Sequence, residues 1–392
     1  MAVNSLAFEQ AATLLNTLYT QTTGKAALSV VDERDFISVA TKTLSSGVDP
    51  IASAIGQMVG RTIYSMRPYT AKLRSVEVSN QEYGYITRKL AIADKDWETS
   101  AAYNLTDGQA PSPSMFTVSV PNVLQTNFYG QTVFKRHYTV YRKQLAAAFE
   151  SSTAMGEFFT MVTQNCYDMI EQNREIVRRA TIANFMGGKI KATNGVIHLL
   201  TEYNTQTGAN LTATTVYAKE NFDDFCKWLR ARIATLSGMM TERTINYQIN
   251  ITNKVITRHT PYADQRVLIY KPFLDAMNAR VLADTFNATM AQIGNVEEVN
   301  FWQSSLTPAK INVKPVYLNA SDGSLVTNAT ACEQDNIIGF MFDREALGVT
   351  IMDEYEAVSP YECSGEFWNY WFSFVQRWWN DFSEKAIVLI LD

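Results

Sequence analysis

The sequence predicts an α+β fold, and three observations lead there. From Ala71 to about Gln144 the apolar pattern alternates with a period of two. From Ser151 to Gly188 it steps by threes, fours and one seven, and from Phe367 two strongly apolar runs follow, Phe367–Trp379 and Ala386–Leu391. The chain has 392 residues, 46% hydrophobic and 19% charged. That is enough apolar surface to build a core, which excludes a chain disordered throughout, and the length suits two or three domains.

Leu6, Phe8, Ala11, Leu14, Leu15 and Leu18 stand near helical spacing, so residues 4–20 are expected to form a helix. It is too short to be stable alone and must dock. Asp49-Pro50 predicts a second helix: Asp caps the free N–H groups and Pro suits the first helical position. Its stripe would be Ile51, Ile55, Met58, Val59 and Ile63. In the period-two region Val76 and Val78, Tyr83 and Tyr85, and Met115–Val120 alternate with polar residues. Asp107-Gly108 and the Pro111/Pro113 pair interrupt them. Residues 71–128 therefore read as a long two-stranded ribbon with a polar tip at Ala93–Pro113. A lone ribbon is marginal in water, so it is expected to lean on another surface.

Ser151-Ser152-Thr153 supplies capping hydroxyls for the longest helix. Its expected buried stripe is Met155, Phe159, Val162, Cys166, Met169, Ile176, Ala180 and Ala183, and Gly187-Gly188 is expected to end it. About 35 residues at ~1.5 Å each give a spine roughly 50 Å long. A coiled coil is the rival reading, but the pattern is not a sustained heptad. Residues 190–350 alternate helices and strands. Phe222, Phe225, Trp228, Leu229, Ile233 and Leu236 mark an amphipathic helix, and Val267–Tyr270 and Ile337–Phe342 are strands. Phe367–Trp379 is aromatic on both faces, so both are expected to be covered, and Ala386–Leu391 reads as a buried strand.

The net charge of −5 excludes a nucleic-acid-binding polycation. The charge is uneven: residues 322–392 carry 13 acidic and 3 basic side chains, leaving about +5 for residues 1–321. Arg61, Arg67, Lys72, Arg74, Arg88 and Lys89 cluster at the ribbon root, and Lys135, Arg136, Arg142 and Lys143 form a second basic group. Each is either a solvated face or a surface for the acidic part of another copy or for DNA. Cys166, Cys226, Cys332 and Cys363 lie far apart, with neither zinc nor redox spacing, and no disulfide framework is expected. No apolar run approaches about 18 residues, so no membrane span is expected, and the start has no signal-peptide pattern.

No catalytic, cofactor-binding or metal-binding residues are predicted. His137, His198 and His259 stand about sixty residues apart, without Cys or carboxylate at ligand spacing. Phosphate loops, dinucleotide fingerprints and nucleophile elbows are missing. Asp343-Arg344-Glu345 reads as a helix-start charge group, Cys166 as core, and the run at 367–382 as sheet core, since Arg377 is its only basic residue.

The order of parts resembles the major capsid proteins of tailed phages with the Hong Kong ninety-seven-type fold: N-arm, E-loop, peripheral domain with spine helix, and axial domain. Pro121-Asn122-Val123 leads through Asn127-Phe128-Tyr129-Gly130-Gln131 into Leu145–Phe149 and the long helix. With Ile337–Asp343, Gly365-Glu366-Phe367-Trp368-Asn369-Tyr370-Trp371-Phe372 and the final apolar strand, these stretches resemble the phi-twenty-nine-like podovirus capsid proteins. The resemblance implies an N-terminal arm with docking helices at 1–70, an E-loop at 71–128 and a peripheral domain at 129–190. An axial domain at 191–350 and C-terminal strands at 351–392 returning to the core sheets follow.

The implied function is that of a non-enzymatic coat protein. It would self-assemble into pentamers and hexamers of an icosahedral or prolate shell around double-stranded DNA. The E-loop would lie over a neighbouring subunit. A scaffolding protein, a portal and DNA bound without sequence specificity would be its partners, no cofactor is implied, and assembly would take place in the bacterial host cytoplasm. Some relatives crosslink through an E-loop lysine. Lys89 and Lys95 lie in the ribbon, but no partner residue is identifiable and no bond is predicted. The alternatives are an encapsulin-like nanocompartment shell and a soluble α/β enzyme.

Overall fold

A computed structural model of the protein describes residues 8–23, 30, 33–45, 69–78, 86–94, 120, 122–129, 131–144, 152–251, 255–280 and 295–392. Two helices open the chain, α1 (Phe8–Thr23) and α2 (Glu33–Ser45). They pack on each other, burying Leu15, Leu18, Phe36, Val39 and Ala40. The sequence expectation missed α2, whose 13 residues are largely polar. The helix expected at Asp49-Pro50 falls outside the described residues. Val76 ends a 3₁₀ turn (Arg74–Val76) entered through Leu73 at φ 63°, where alternation predicts a strand.

The ribbon is present. Strands β1 (Ile86–Ile92) and β2 (Val123–Tyr129) pair antiparallel from Ile86↔Tyr129 to Ile92↔Val123. Beyond Asp94 its expected tip lies outside the described residues.

The spine is α3 (Ser152–Ala192), whose 41 residues span about 60 Å at ~1.5 Å per residue. It does not stop at Gly187-Gly188. A Cβ on Gly187 would lie 2.6 Å from Val313 Cγ1, and one on Gly188 would lie 2.5 Å from Phe382 Cζ. The two glycines let neighbours approach the helix, and Thr193, in the left-handed region at φ 53°, turns the chain out of it. The expected stripe holds only in part: Ala183 is buried as expected, but Ile176 is 57% exposed, and Ala180 is exposed too. The buried side is instead Glu171, Glu175, Arg178, Ile182, Phe185 and Lys189, at steps of four and three. Charged side chains occupy most of these places, so an apolar count rotates the helix wrongly. Nothing is described of the side chains of Met155, Phe159, Val162 and Cys166.

Beyond the spine lies a mixed five-stranded sheet, ordered β4 (Val196–His198), β14 (Ala386–Ile390), β11 (Ile337–Asp343), β5 (Gln265–Tyr270), β6 (Asn295–Val299). Alternate strand residues face two layers. Val267, Ile269, Met341, Ile387 and Leu389 pack against α4 (Leu199–Thr207), α5 (Lys219–Thr241) and α6 (Lys271–Arg280). Leu268, Phe340, Phe342, Val388 and Ile390 pack against the C-terminal half of α3 through Ile182, Phe185 and Met186. β14 thus sits inside the sheet, with every residue buried. Two small hairpin-like pairs, β7 (Ile311–Val313) with β10 (Cys332–Gln334) and β8 (Tyr317–Leu318) with β9 (Leu325–Val326), border the spine.

A second, antiparallel sheet is ordered β12 (Leu347–Val358), β13 (Phe367–Asn380), β3 (Thr132–Tyr141). Phe134, Tyr138, Phe372 and Phe374 face the spine and, with Met169, Ile170 and Asn173, line a cavity of about 290 Å³. The aromatic strand is not covered on both faces within the chain: Trp371 is 37% and Trp378 42% exposed. His137 stacks beside Trp371 with ring centroids 4.4 Å apart.

Candidate functional site

Three polar attachments and one open surface set the ribbon and its root. The first is a strap, residues 69–78, held to α3 by buried charges. Glu175 accepts bonds from the Tyr69 hydroxyl (2.5 Å), the Lys72 N–H (3.3 Å) and the Arg179 guanidinium (2.6 and 2.9 Å). Glu171 accepts the Ala71 N–H at 2.9 Å, and Arg178 donates to Glu77 at 2.9 Å and to the Lys72 carbonyl at 2.8 Å. The hydrogen bond to Glu175, then burial, pushes the Tyr69 hydroxyl up to about 12. Burial alone would raise Glu175, but the bonds from Tyr69 and Arg179 outweigh it and hold the carboxyl below its ordinary value.

The second attachment is Lys89, on the inner face of the ribbon. Its Nζ lies 2.5 Å from Glu384, 3.0 Å from Asp381 and 3.2 Å from Glu345. Burial opposes the charge, yet the Asp381 and Glu384 carboxylates outweigh it and raise the Lys89 pKa. Arg258 closes the cage 3.3 Å from Glu384. The third is Asp94, which accepts from the Thr257 N–H (2.6 Å) and hydroxyl (2.5 Å) and pairs with Arg243 at 2.6 Å. Buried Arg377 adds a bond to the Thr87 hydroxyl at 3.1 Å.

The inner face of the ribbon, Thr87, Lys89 and Ala91 with Leu124, Thr126 and Phe128, is partly buried. The outer face carries Arg88, Leu90, Ile92, Val123, Gln125 and Asn127, all exposed. Leu90, Ile92 and Val123 are 62, 63 and 56% exposed and adjoin one another across the pair Ile92↔Val123. This chain therefore holds the ribbon by charge on one side and leaves an apolar end open on the other.

The structure separates the predicted basic residues. Lys89 is caged, Arg88 faces outward, and Lys72 and Arg74 anchor the strap through their backbone N–H groups. Arg61, Arg67 and Lys95 lie outside the described residues. Lys135, Arg136, Arg142 and Lys143 fall on β3 and just after it. Asp343-Arg344-Glu345 does not start a helix. It forms the turn from β11 to β12, with the Asp343 carboxylate accepting the Glu345 N–H at 2.8 Å. His198 lies 2.6 Å from Asp392, away from the other two histidines. Among the described residues no group of three or more His, Cys, Asp or Glu could hold a metal ion, and no helix is long and apolar enough to cross a membrane. The Lys89 cage was missed because a lysine and a carboxylate such as Glu384, 295 residues away, leave no local signal.

A spine helix flanked by two sheets, with an outlying ribbon open on one side, is the architecture of a phage capsid subunit of the Hong Kong ninety-seven type. The model of the family described as Phi29-like phage major capsid protein matches residues 13–389, and the chain belongs to that family. It is a coat protein that forms the phage shell, and its place is the virion capsid. Among solved structures it is similar to the capsid of Staphylococcus phage Andhra, with TM-score 0.53 and 12% identity over 82% of this chain and 84% of that one. It is also similar to a chain in a structure of native bacteriophage P68, with TM-score 0.51 and 10% identity over 82% and 85%. The capsid of cyanophage P-SCSP1u aligns with TM-score 0.46 and 12% identity over 83% and 89%. No curated protein sequence matches the chain.

Proposed function

We propose that this coat protein builds its shell from hexamers and pentamers in which the ribbon lies over a neighbouring subunit. In this reading residues 1–70 are the N-terminal arm, 71–128 the E-loop, 129–190 the peripheral domain, 191–350 the axial domain and 351–392 the returning strands. Double-stranded DNA fills the shell without sequence-specific contacts, and a scaffolding protein and a portal take part in assembly in the host cytoplasm. The protein performs no catalysis. The observation that carries the reading is the open apolar end of the ribbon, Leu90, Ile92 and Val123. Completing their burial on a neighbour is worth about 1 kcal/mol or more for each side chain. A single contact of that size is weak, and repeated around a ring it is decisive.

The test is the double variant Leu90→Asp, Ile92→Asp. Both side chains face solvent in the subunit, so its thermal melt is expected to stay within a few degrees of wild type. Particle formation, followed by sedimentation and electron microscopy, is expected to fail. Normal shells from this variant would contradict the placement of the ribbon on a neighbour.

A further inference from the structure

In the second sheet β13 is central, so β3 and β12 are both edges. Beyond Val349, which contacts Glu77 at its start, β12 has no further strand beside it among the described residues, and neither has β3. Both run antiparallel to β13 and hence parallel to each other. The two edges are oppositely charged. β12 carries Asp353, Glu354 and Glu356, and β3 carries Lys135 and Arg136, with Arg142 and Lys143 just beyond.

The register makes the opposition specific. Glu356 pairs with Phe372, and Phe372 pairs with Arg136, so these three share one row across the sheet. Tyr355, Ser373 and Lys135 form the next row. Side chains in one row point to one face. Within a subunit Glu356 and Arg136 stand two strand spacings apart, roughly 9–10 Å, with Phe372 between them. Arg136 lies over the Tyr138 ring at 5.4 Å, and no described cation pairs with Glu356. Glu354 is already occupied by Arg174. Glu356 is exposed on this edge, and desolvation by its neighbours, then the Glu354 carboxylate, raises its carboxyl, which a cation docked beside it would lower again.

We propose that the β3 edge of one subunit docks along the β12 edge of a second copy, Arg136 and Lys135 of one meeting Glu356 and Asp353 of the other. This deepens the reading above by naming a second subunit surface, and it rests on that reading. The contact is head-to-tail, because β3 repels β3 and β12 repels β12. Such a heterologous contact closes into rings when its rotation allows. The same charges keep either edge from pairing with its own kind, the usual hazard of an open strand.

The pair Arg136→Cys, Glu356→Cys tests it, made in the full chain and assembled before mild oxidation. Within one subunit the two positions are too far apart for a disulfide, whose Cα atoms sit at most ~7 Å apart. A bond can therefore form only between subunits. The expected result is a ladder of covalent multimers on a non-reducing gel, at least tenfold more intense than for either single variant. Assembled particles without the ladder would overturn the edge contact and leave the coat reading standing. If the cysteine chain does not assemble, the charge swap Arg136→Glu, Glu356→Arg decides. Each single reversal is expected to reduce particle yield at least tenfold, and the swap to restore it. Single reversals that assemble normally, or a cooperatively melting swap that does not recover, would equally overturn it. Loss from reversing β3 alone, unrescued by β12, would assign the basic edge to DNA.

Discussion

Glu175 shows how single side chains hold the strap. It is buried and accepts bonds from Tyr69, Lys72 and Arg179 at once. Removing one partner of a buried pair typically costs ~3–5 kcal/mol, because the other charge is left without compensation. Glu175→Gln still offers one acceptor, so urea unfolding should show a loss of about 3 kcal/mol, the low end of that range. The sign with pH follows from the lowered carboxyl. Its contribution is complete above the ordinary value of 4.5 and is lost as pH falls through the folded value. Below pH 4.5 wild type should therefore lose stability more steeply than the variant. Lys189 behaves oppositely. Fully buried, it donates to Asn194 at 3.0 Å and to the Tyr247 carbonyl at 2.8 Å, and burial pushes it down to about 7. Its unfolded value is near 10.5, so the cost of holding it is greatest below pH 7 and fades as pH rises. Melting curves at about pH 7 and pH 9 should show wild type gaining stability relative to Lys189→Met.

At the scale of elements, helix propensity and packing disagree at Gly188. Alanine is favoured over glycine in a helix interior by about 1 kcal/mol. Its Cβ would nonetheless meet the Phe382 ring, which is stacked on Phe185 at 4.5 Å, and would lie 2.8 Å from Tyr317 Cβ. Overpacking of that kind costs about 1–3 kcal/mol, so Gly188→Ala should lower stability despite the better propensity. Denaturant melts of the subunit would show it, and a stabilised variant would mean that the approach is looser. β14 gives the larger effect. A stop after Lys385 removes Ile387, Val388, Leu389, Ile390 and Leu391, all at most 2% exposed. That forfeits on the order of 8–15 kcal/mol, as much as a whole domain's typical stability. Aggregated protein and no shells should follow, and a soluble, cooperatively melting product would show β14 to be peripheral. β14 and β11 were readable because continuous apolar runs are local signals, whereas the ribbon strands β1 and β2 lie at none of the described residues of the expected alternation, Val76, Val78 and Val120. α2 was not readable, because its residues are largely polar, and neither was the true inner side of α3, since Glu171, Glu175, Arg178 and Lys189 are buried by partners distant in sequence.

At the scale of the whole molecule, the acidic excess of residues 322–392 was visible in composition, but its use was not. Part of it, Glu345, Asp381 and Glu384, is spent inside the subunit on Lys89. Part, Asp353 and Glu356, stays on an open edge. Only the sheet order distinguishes the two: β12 is left as an edge because β3, 230 residues away in sequence at Thr139 and Asn369, takes the far side of β13. Interfaces that rest partly on charge weaken as the Debye length falls from ~10 Å at 0.1 M salt to ~3 Å at 1 M. The central claim is that this 44.1 kDa chain is completed by copies of itself. Mass measurement of the purified protein by light scattering, over a range of protein and salt concentrations, tests it most directly. Closed particles in the megadalton range at moderate salt, shifting toward smaller species at about 1 M, are the predicted result. A strict monomer at every concentration and every salt would contradict it.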